Sequence, residues 1–195
     1  MKKYMMTLAA VLCCAMTTTV FTACGDDDDD NTPKSSEILG IGSIYLISVD
    51  EKMAQLCDYT MTYYANDNQR MTEKATWTIK NGKATWQKEA NSINFPATFG
   101  VKINVKLKDG AQLADVHIDN VNLIDHEVYL EGITKDGKKA WGNTVKLGES
   151  ISHRMDTSGE KLPQLIELWD SRGGMLNASF TFDKDGNQIG SGVIE

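Results

Sequence analysis

From Phe99 to Leu107 every second residue is apolar. Phe99, Val101, Ile103, Val105 and Leu107 alternate with Lys102, Asn104, Lys106 and, just beyond, Lys108. Successive side chains of an extended strand point to opposite faces, so a period of two gives one buried and one wet face. A chain built on such a segment needs a sheet with something packed over one side. The lysines could greet an anionic partner, but they read first as an ordinary solvated face on an edge strand, where charge discourages aggregation.

The same period recurs along the chain. Cys57, Tyr59, Met61 and Tyr63 alternate with Asp58, Thr60, Thr62 and Tyr64, and Asn66-Asp67-Asn68 then breaks the run. Ala75, Trp77 and Ile79 lead into Asn81-Gly82, and Ala84 and Trp86 follow. Asn-Gly between two alternating runs predicts a hairpin, because a type I′ turn needs positive φ at both central residues. A two-residue turn sets Lys80 opposite Lys83 and Ile79 opposite Ala84. It also places Trp77 opposite Trp86, and the pair is expected to face the core. Ser43–Ser48, Ala114–Ile118, Val121–Ile133, Trp141–Leu147 and Phe180–Phe182 paired with Ile189–Val193 supply further strands. The turns between them include Asp109-Gly110, Asp136-Gly137 and Asp185-Gly186. One segment is helical in period: Leu162, Leu165, Ile166 and Trp169 fall at i, i+3, i+4 and i+7. Pro163 suits its first turn, and Gly173-Gly174 can end it. About eight short strands with such turns predict a mainly β, antiparallel, immunoglobulin-like sandwich with at most one short helix. A lipocalin-like barrel is the alternative.

The first thirty residues have a different logic. Lys2 and Lys3 precede an apolar, threonine-diluted run from Met5 to Val20, then Phe21-Thr22-Ala23-Cys24, Gly25 and five aspartates, Asp26 to Asp30. A basic start, a short apolar middle and small residues before a cleavage point make a secretory signal. Phe21-Thr22-Ala23-Cys24 resembles the lipobox of bacterial lipoproteins, with Phe21 where that family prefers leucine. The resemblance implies that the Cys24 sulfur carries the lipid, with palmitate among the acyl chains. A cysteine followed at once by an acidic tract also resembles the export signal of Bacteroidetes surface lipoproteins, which implies an outer-membrane, outward-facing location. Five adjacent like charges cannot pack and stay solvated, so Asp26, Asp27, Asp28, Asp29 and Asp30 form at least a spacer. The chain divides into a signal peptide (1–23), an acidic lipid-anchored tether (24–36) and one β domain (37–195).

With Lys2 and Lys3 assigned to the leader and the five aspartates to the tether, the remainder keeps 18 basic and 22 acidic residues, near −4. No basic stripe points to nucleic acid. Cys13 and Cys14 leave with the leader and Cys24 is acylated on this reading, so Cys57 stands alone as a buried thiol. Neither a disulfide nor a cysteine-ligated zinc site can form from it.

No chemical motif stands out. Asp183, Asp185 and Asn187 resemble the start of a calcium loop, but Gly186 falls fourth where an EF-hand needs glycine sixth, so a turn is expected. His117 and Asp119, with Asp125, His126 and Glu127, form a conceivable metal set whose members read equally well as wet-face residues. No nucleophile elbow, zincin motif or phosphate loop is present. No cofactor and no enzymatic activity are expected. The partners expected are the membrane, through the lipid on Cys24, and an unidentified protein or glycan. Tyr64, Trp141 and Trp169 are the candidate ligand-contact aromatics. A fimbria-like assembly component is the alternative to a binding module, and an enzyme comes third.

Overall fold

The computed structural model describes residues 38–118, 125–136, 138–145 and 157–195. The strands are β1 (Ile38–Asp50), β2 (Cys57–Tyr64), β3 (Arg70–Lys74), β4 (Thr78–Lys80), β5 (Lys83–Ser92), β6 (Ala97–Leu107), β7 (His117–Ile118), β8 (Asp125–Thr134), β9 (Lys139–Val145), β10 (Thr157–Ser158), β11 (Leu176–Phe182) and β12 (Gln188–Gly192). Among the described residues two α-helices accompany them, α1 (Glu51–Leu56) and α2 (Leu162–Ser171). The strands form two five-stranded sheets, ordered β4-β5-β1-β8-β9 and β12-β11-β6-β2-β3, with a small β10-β7 pair beside them. Every pairing is antiparallel. The fold is a β-sandwich with two open sheets, not a closed barrel.

Alternation decides which face is buried. On β6, Phe99, Val101, Ile103 and Val105 are sealed in the core, while Asn104 and Lys106 are exposed. Residues Cys57, Tyr59, Met61 and Tyr63 of β2 and Ile41, Tyr45, Ile47 and Val49 of β1 bury their inward faces in the same cluster. The lysine-bearing strand is not at an edge, as the sequence suggested. β6 lies between β11 and β2, at the centre of its sheet. Its lysines therefore stand mid-face and do not guard an edge.

The Asn81-Gly82 turn forms as expected, with φ of 52° and 74°. Lys80 pairs with Lys83 and Ile79 with Ala84, but the ladder stops at Thr78–Thr85. The expected Trp77–Trp86 pair is consequently not made. Trp77 leaves the hairpin and meets Tyr59 edge-on at 5.1 Å, while Trp86 packs against Tyr63 at 5.3 Å and Tyr45 at 6.4 Å. Tyr59 and Tyr63 belong to β2 of the other sheet and Tyr45 to the neighbouring β1, so the rings pack against the core and are not stacked along an exposed edge.

Helix α2 follows its sequence pattern, with Leu162, Ile166 and Trp169 buried. Gly173 at φ 85° and the Gly174 N–H donating to the Trp169 carbonyl at 2.9 Å close its end. Helix α1 has no precedent in the sequence reading. Asp50 caps its start by accepting from Lys52 N–H at 2.8 Å, and the Lys108 ammonium binds the carbonyls of Ala54 and Gln55, both at 2.8 Å. Of the strand expected over Ala114–Ile118, only His117–Ile118 is extended.

Two polar devices tie the sheets together. The Tyr45 hydroxyl of β1 donates to the Tyr64 carbonyl at 2.7 Å and accepts from Gly100 N–H at 3.1 Å. The β2–β6 ladder runs only to Tyr63–Val101, so this hydroxyl continues it by one rung from the other sheet. Gly100 must be glycine, because a Cβ there would lie 2.6 Å from the Ala178 carbonyl oxygen and the Ser179 Cα. At the turn end, three consecutive side chains hold the link between β5 and β6. Asn66 accepts from Asn91 N–H at 2.8 Å, Asp67 from Ile93 N–H at 3.0 Å and Asn68 from Thr98 N–H at 2.7 Å. Asp67 and Asn68 adopt φ of 53° and 62°, a conformation that Asn and Asp tolerate better than most residues.

Tyr45→Phe keeps the ring and leaves the Tyr64 carbonyl and Gly100 N–H without their partner. It is expected to cost about 1–3 kcal/mol in denaturant unfolding with an unchanged m-value, the penalty for stranding buried polar groups.

Candidate functional site

Glu73 is the most connected side chain among the described residues. It points inward from β3, since it pairs with Met61 of β2, whose side chain is in the core. Its Oε1 accepts from Trp86 Nε1 at 3.0 Å, and its Oε2 accepts from Lys88 Nζ at 3.2 Å and the Tyr63 hydroxyl at 3.5 Å. Lys88 Nζ also lies 2.9 Å from Oε1, with the two side chains 37% and 31% exposed. Trp86 and Lys88 belong to β5 of one sheet, Glu73 and Tyr63 to β3 and β2 of the other. Burial alone would push the Glu73 carboxyl up, but hydrogen bonds from Lys88 and Trp86 outweigh it and hold the group below its ordinary value. The Glu73 hydrogen bond holds Lys88 up, and burial raises the Tyr63 hydroxyl. Both carboxylate oxygens are engaged by groups of the protein itself, so the cluster acts as a clamp between sheets. An inward-pointing charge also protects β3, an edge strand, from pairing with another chain.

A second candidate is an open hollow of about 310 Å³ lined by Lys52, Gln55, Leu56, Asp115, Val116 and His117. It lies where α1 meets β7, and Lys52 Nζ spends a hydrogen bond on the His117 carbonyl at 2.6 Å. Among the described residues no group of three or more His, Cys, Asp or Glu is placed to hold a metal ion. Asp119 lies outside the described residues. Asp183 behaves as a turn residue: its carboxylate accepts from Asp185 N–H at 2.9 Å and from Asn187 N–H at 2.8 Å and Nδ2 at 3.0 Å. The Asn187 bonds hold it below the ordinary aspartate value. Cys57 is 1% exposed, and burial pushes its thiol up to about 12, with Lys108 opposing. It is a protonated core thiol and a poor nucleophile.

The candidate aromatics separate. Trp169 is 9% exposed and part of the core, so it is no ligand platform. The helical stripe that places it inward was already in the sequence. Tyr64 is half-buried at the end of β2, and its carbonyl serves Tyr45. Trp141 lies in β9, its side chain outside what is described, and Cys24 and Asp26 to Asp30 also lie outside the described residues. Sequence reasoning missed the Glu73 clamp although Glu73 shares the parity of Ala75 and Trp77, because a charge set between Thr72 and Lys74 reads as solvent-facing. Among the described residues no helix is long and apolar enough to cross a membrane. No protein-family model, no curated protein and no solved structure matches the chain.

A carboxylate held below its unfolded value adds stability above the unfolded pKa and loses it as pH falls through the folded value. Stability is therefore expected to drop in acid below the usual glutamate range, near pH 4, with a shift in Trp86 fluorescence. Glu73→Gln should remove that acid-dependent part and cost about 1–2 kcal/mol at neutral pH in denaturant unfolding, the charged bond to Trp86 and the Lys88 pair being only partly shielded from water.

Proposed function

We propose that the chain is an outer-membrane lipoprotein, acylated on Cys24 and facing outward, whose sandwich serves as a binding module for a protein or glycan. The observation that carries this reading is Cys24 itself, preceded by Phe21-Thr22-Ala23 and followed by Gly25 and Asp26 to Asp30. An acyl chain gives reversible membrane binding and a second makes it stable, which is the reason lipoprotein anchors are multiply acylated. The sandwich supports the binding role by presenting its turns on a rigid two-sheet frame, the usual division of labour between scaffold and recognition loops. Trp141 and Tyr64 are the aromatics this reading retains for ligand contact. It assigns no catalysis and needs no cofactor.

Cells grown with an alkyne analogue of palmitate should incorporate label into the intact chain and lose it in Cys24→Ala. Label retained by Cys24→Ala would sink the anchor. On intact cells, added protease should remove the domain, which separates an outward from an inward location.

A fimbria-like assembly component is a second reading, favoured by β12. This edge strand carries no charge or proline from Gln188 to Val193, and Ile189 and Val193 are 58% and 63% exposed. By contrast β3 carries Arg70, Lys74 and the inward Glu73, and β4 is three residues long. Assembly through β12 predicts concentration-dependent oligomers in sedimentation that Ser191→Lys abolishes. A strict monomer at all concentrations removes this reading.

A further inference from the structure

Three of the large exposed apolar side chains gather at one end of the sandwich. Leu39, at the start of β1, is 45% exposed; Ile93, in the β5–β6 link, 68%; and Ile189, at the start of β12, 58%. Strand direction puts them together. β1 and β6 start at this end, β2, β5, β8 and β11 finish there, and the short link 93–96 crosses from one sheet to the other. Leu39 and Ile93 sit at the same strand ends: Ile41 pairs with Ser92, and a Cβ on Gly40, next to Leu39, would lie 3.2 Å from Ile93 Cγ2.

Ile93 is not a loosely held side chain. Its own N–H is capped by Asp67 at 3.0 Å, with Asn66 and Asn68 holding the amides on either side of the link. Asn68 Nδ2 also donates to the Pro96 carbonyl at 3.0 Å. A neighbouring hairpin thus holds a loop in place while its isoleucine faces water, so the exposure is fixed by the fold. Around these residues stand charged turns. Lys135 and Lys138 flank Asp136, which pairs with Lys138 at 2.9 Å, and Lys184 pairs with Asp185 at 3.1 Å. An apolar tip ringed by lysines and carboxylates matches the layering of a membrane interface, with acyl chains beneath charged headgroups.

What covers this end is argued from where the chain enters it. β1 begins at residue 38, and Cys24 is fourteen residues earlier. Fourteen residues reach at most about 50 Å even when fully extended, which bounds the distance from the lipid to this end. The end that receives the tether is the end with the exposed Leu39 and Ile93. Ile79, also exposed, lies at the opposite end, since it pairs with Ala84 and Ala84 pairs with Val49. We propose that the Leu39–Ile93–Ile189 end is a membrane-docking surface, resting on the bilayer into which the Cys24 lipid inserts. This rests on the lipoprotein reading above. The tether sets how far the domain can travel, and the apolar tip sets which end turns down. The Asn94–Asp67 side then faces the headgroups, and the α1–β7 hollow faces away from the membrane.

The test uses the full acylated chain, purified from membranes and reconstituted into vesicles of phosphatidylethanolamine and phosphatidylglycerol. Single cysteines at Ile93, Ile189 or Ile79 carry an environment-sensitive fluorophore; Cys57 is buried and the acylated Cys24 is blocked. With Ile93→Cys and Ile189→Cys, emission should shift to the blue and be quenched at least twofold by lipids carrying a shallow nitroxide. Ile79→Cys should show neither. Equal quenching at all three positions, or none at Ile93, overturns the proposal. Mass spectrometry of the Cys24 peptide from the same sample separates the two layers. An acylated Cys24 with Ile93 unquenched rejects the docking surface alone, whereas an unmodified Cys24 rejects the anchor and the docking surface with it.

Discussion

The Tyr45 hydroxyl is the point on which the two sheets depend. A sandwich is held mainly by non-directional apolar burial, which sets how much surface is hidden and leaves the relative placement of the sheets loosely specified. Tyr45 supplies direction. Its ring lies in the core beside Tyr63 and Trp86, and its hydroxyl takes one acceptor on β2 and one donor on β6. Neither backbone group has its ladder partner there, so sliding one sheet past the other would strand both in a dry interior. Burial raises the hydroxyl well above its ordinary value, so it remains a neutral donor at any physiological pH. The glycine at position 100 belongs to the same arrangement, because any side chain would collide with β11.

Glu73 continues this logic at the margin. Where the aromatic cluster reaches solvent, Trp86 still needs an acceptor for its indole N–H, and β3 still needs protection as an edge. One carboxylate meets both needs and draws in Lys88. The polar contacts of the core thus form a path from the deep interior at Gly100, through Tyr45 and the aromatic rings, to the half-exposed Glu73. Chemistry at this cluster would require releasing one of those structural bonds, so the clamp reads as architecture.

Much of the fold was legible where the signal is local. The alternation at Phe99–Leu107, the positive-φ turn at Asn81-Gly82 and the apolar stripe of Leu162–Trp169 each reports a geometry that neighbouring residues fix by themselves. What failed was non-local. Whether β6 is central or peripheral depends on β11, some seventy residues later, and nothing within Ala97–Leu107 encodes that. The hairpin register was right, but the partners of Trp77 and Trp86 were set by the opposing sheet. Helix α1 spans six residues, too few to show a period, and half of its capping comes from Lys108. For the candidate site, Trp169 was misjudged although its own helical stripe pointed inward. Glu73 was overlooked because its charge outweighed its place in the alternation, where it shares the face of Ala75 and Trp77.

The position of β1 has a mechanical consequence. This thirteen-residue strand is the first among the described residues and the centre of its sheet, with β5 hydrogen-bonded along one side and β8 along the other. Force arriving through residue 38 runs along the strand axis. It loads both ladders in shear, all rungs together, where a peripheral strand would be peeled off one rung at a time. Such a strand yields only when many bonds break at once, so resistance to pulling is governed by the height of the unfolding barrier more than by equilibrium stability. The Tyr45 hydroxyl and the inward side chains of β1 add to that barrier, since drawing the strand out must also withdraw them from the core. Tension applied through residue 38 would thus meet the fold at the place least willing to give way.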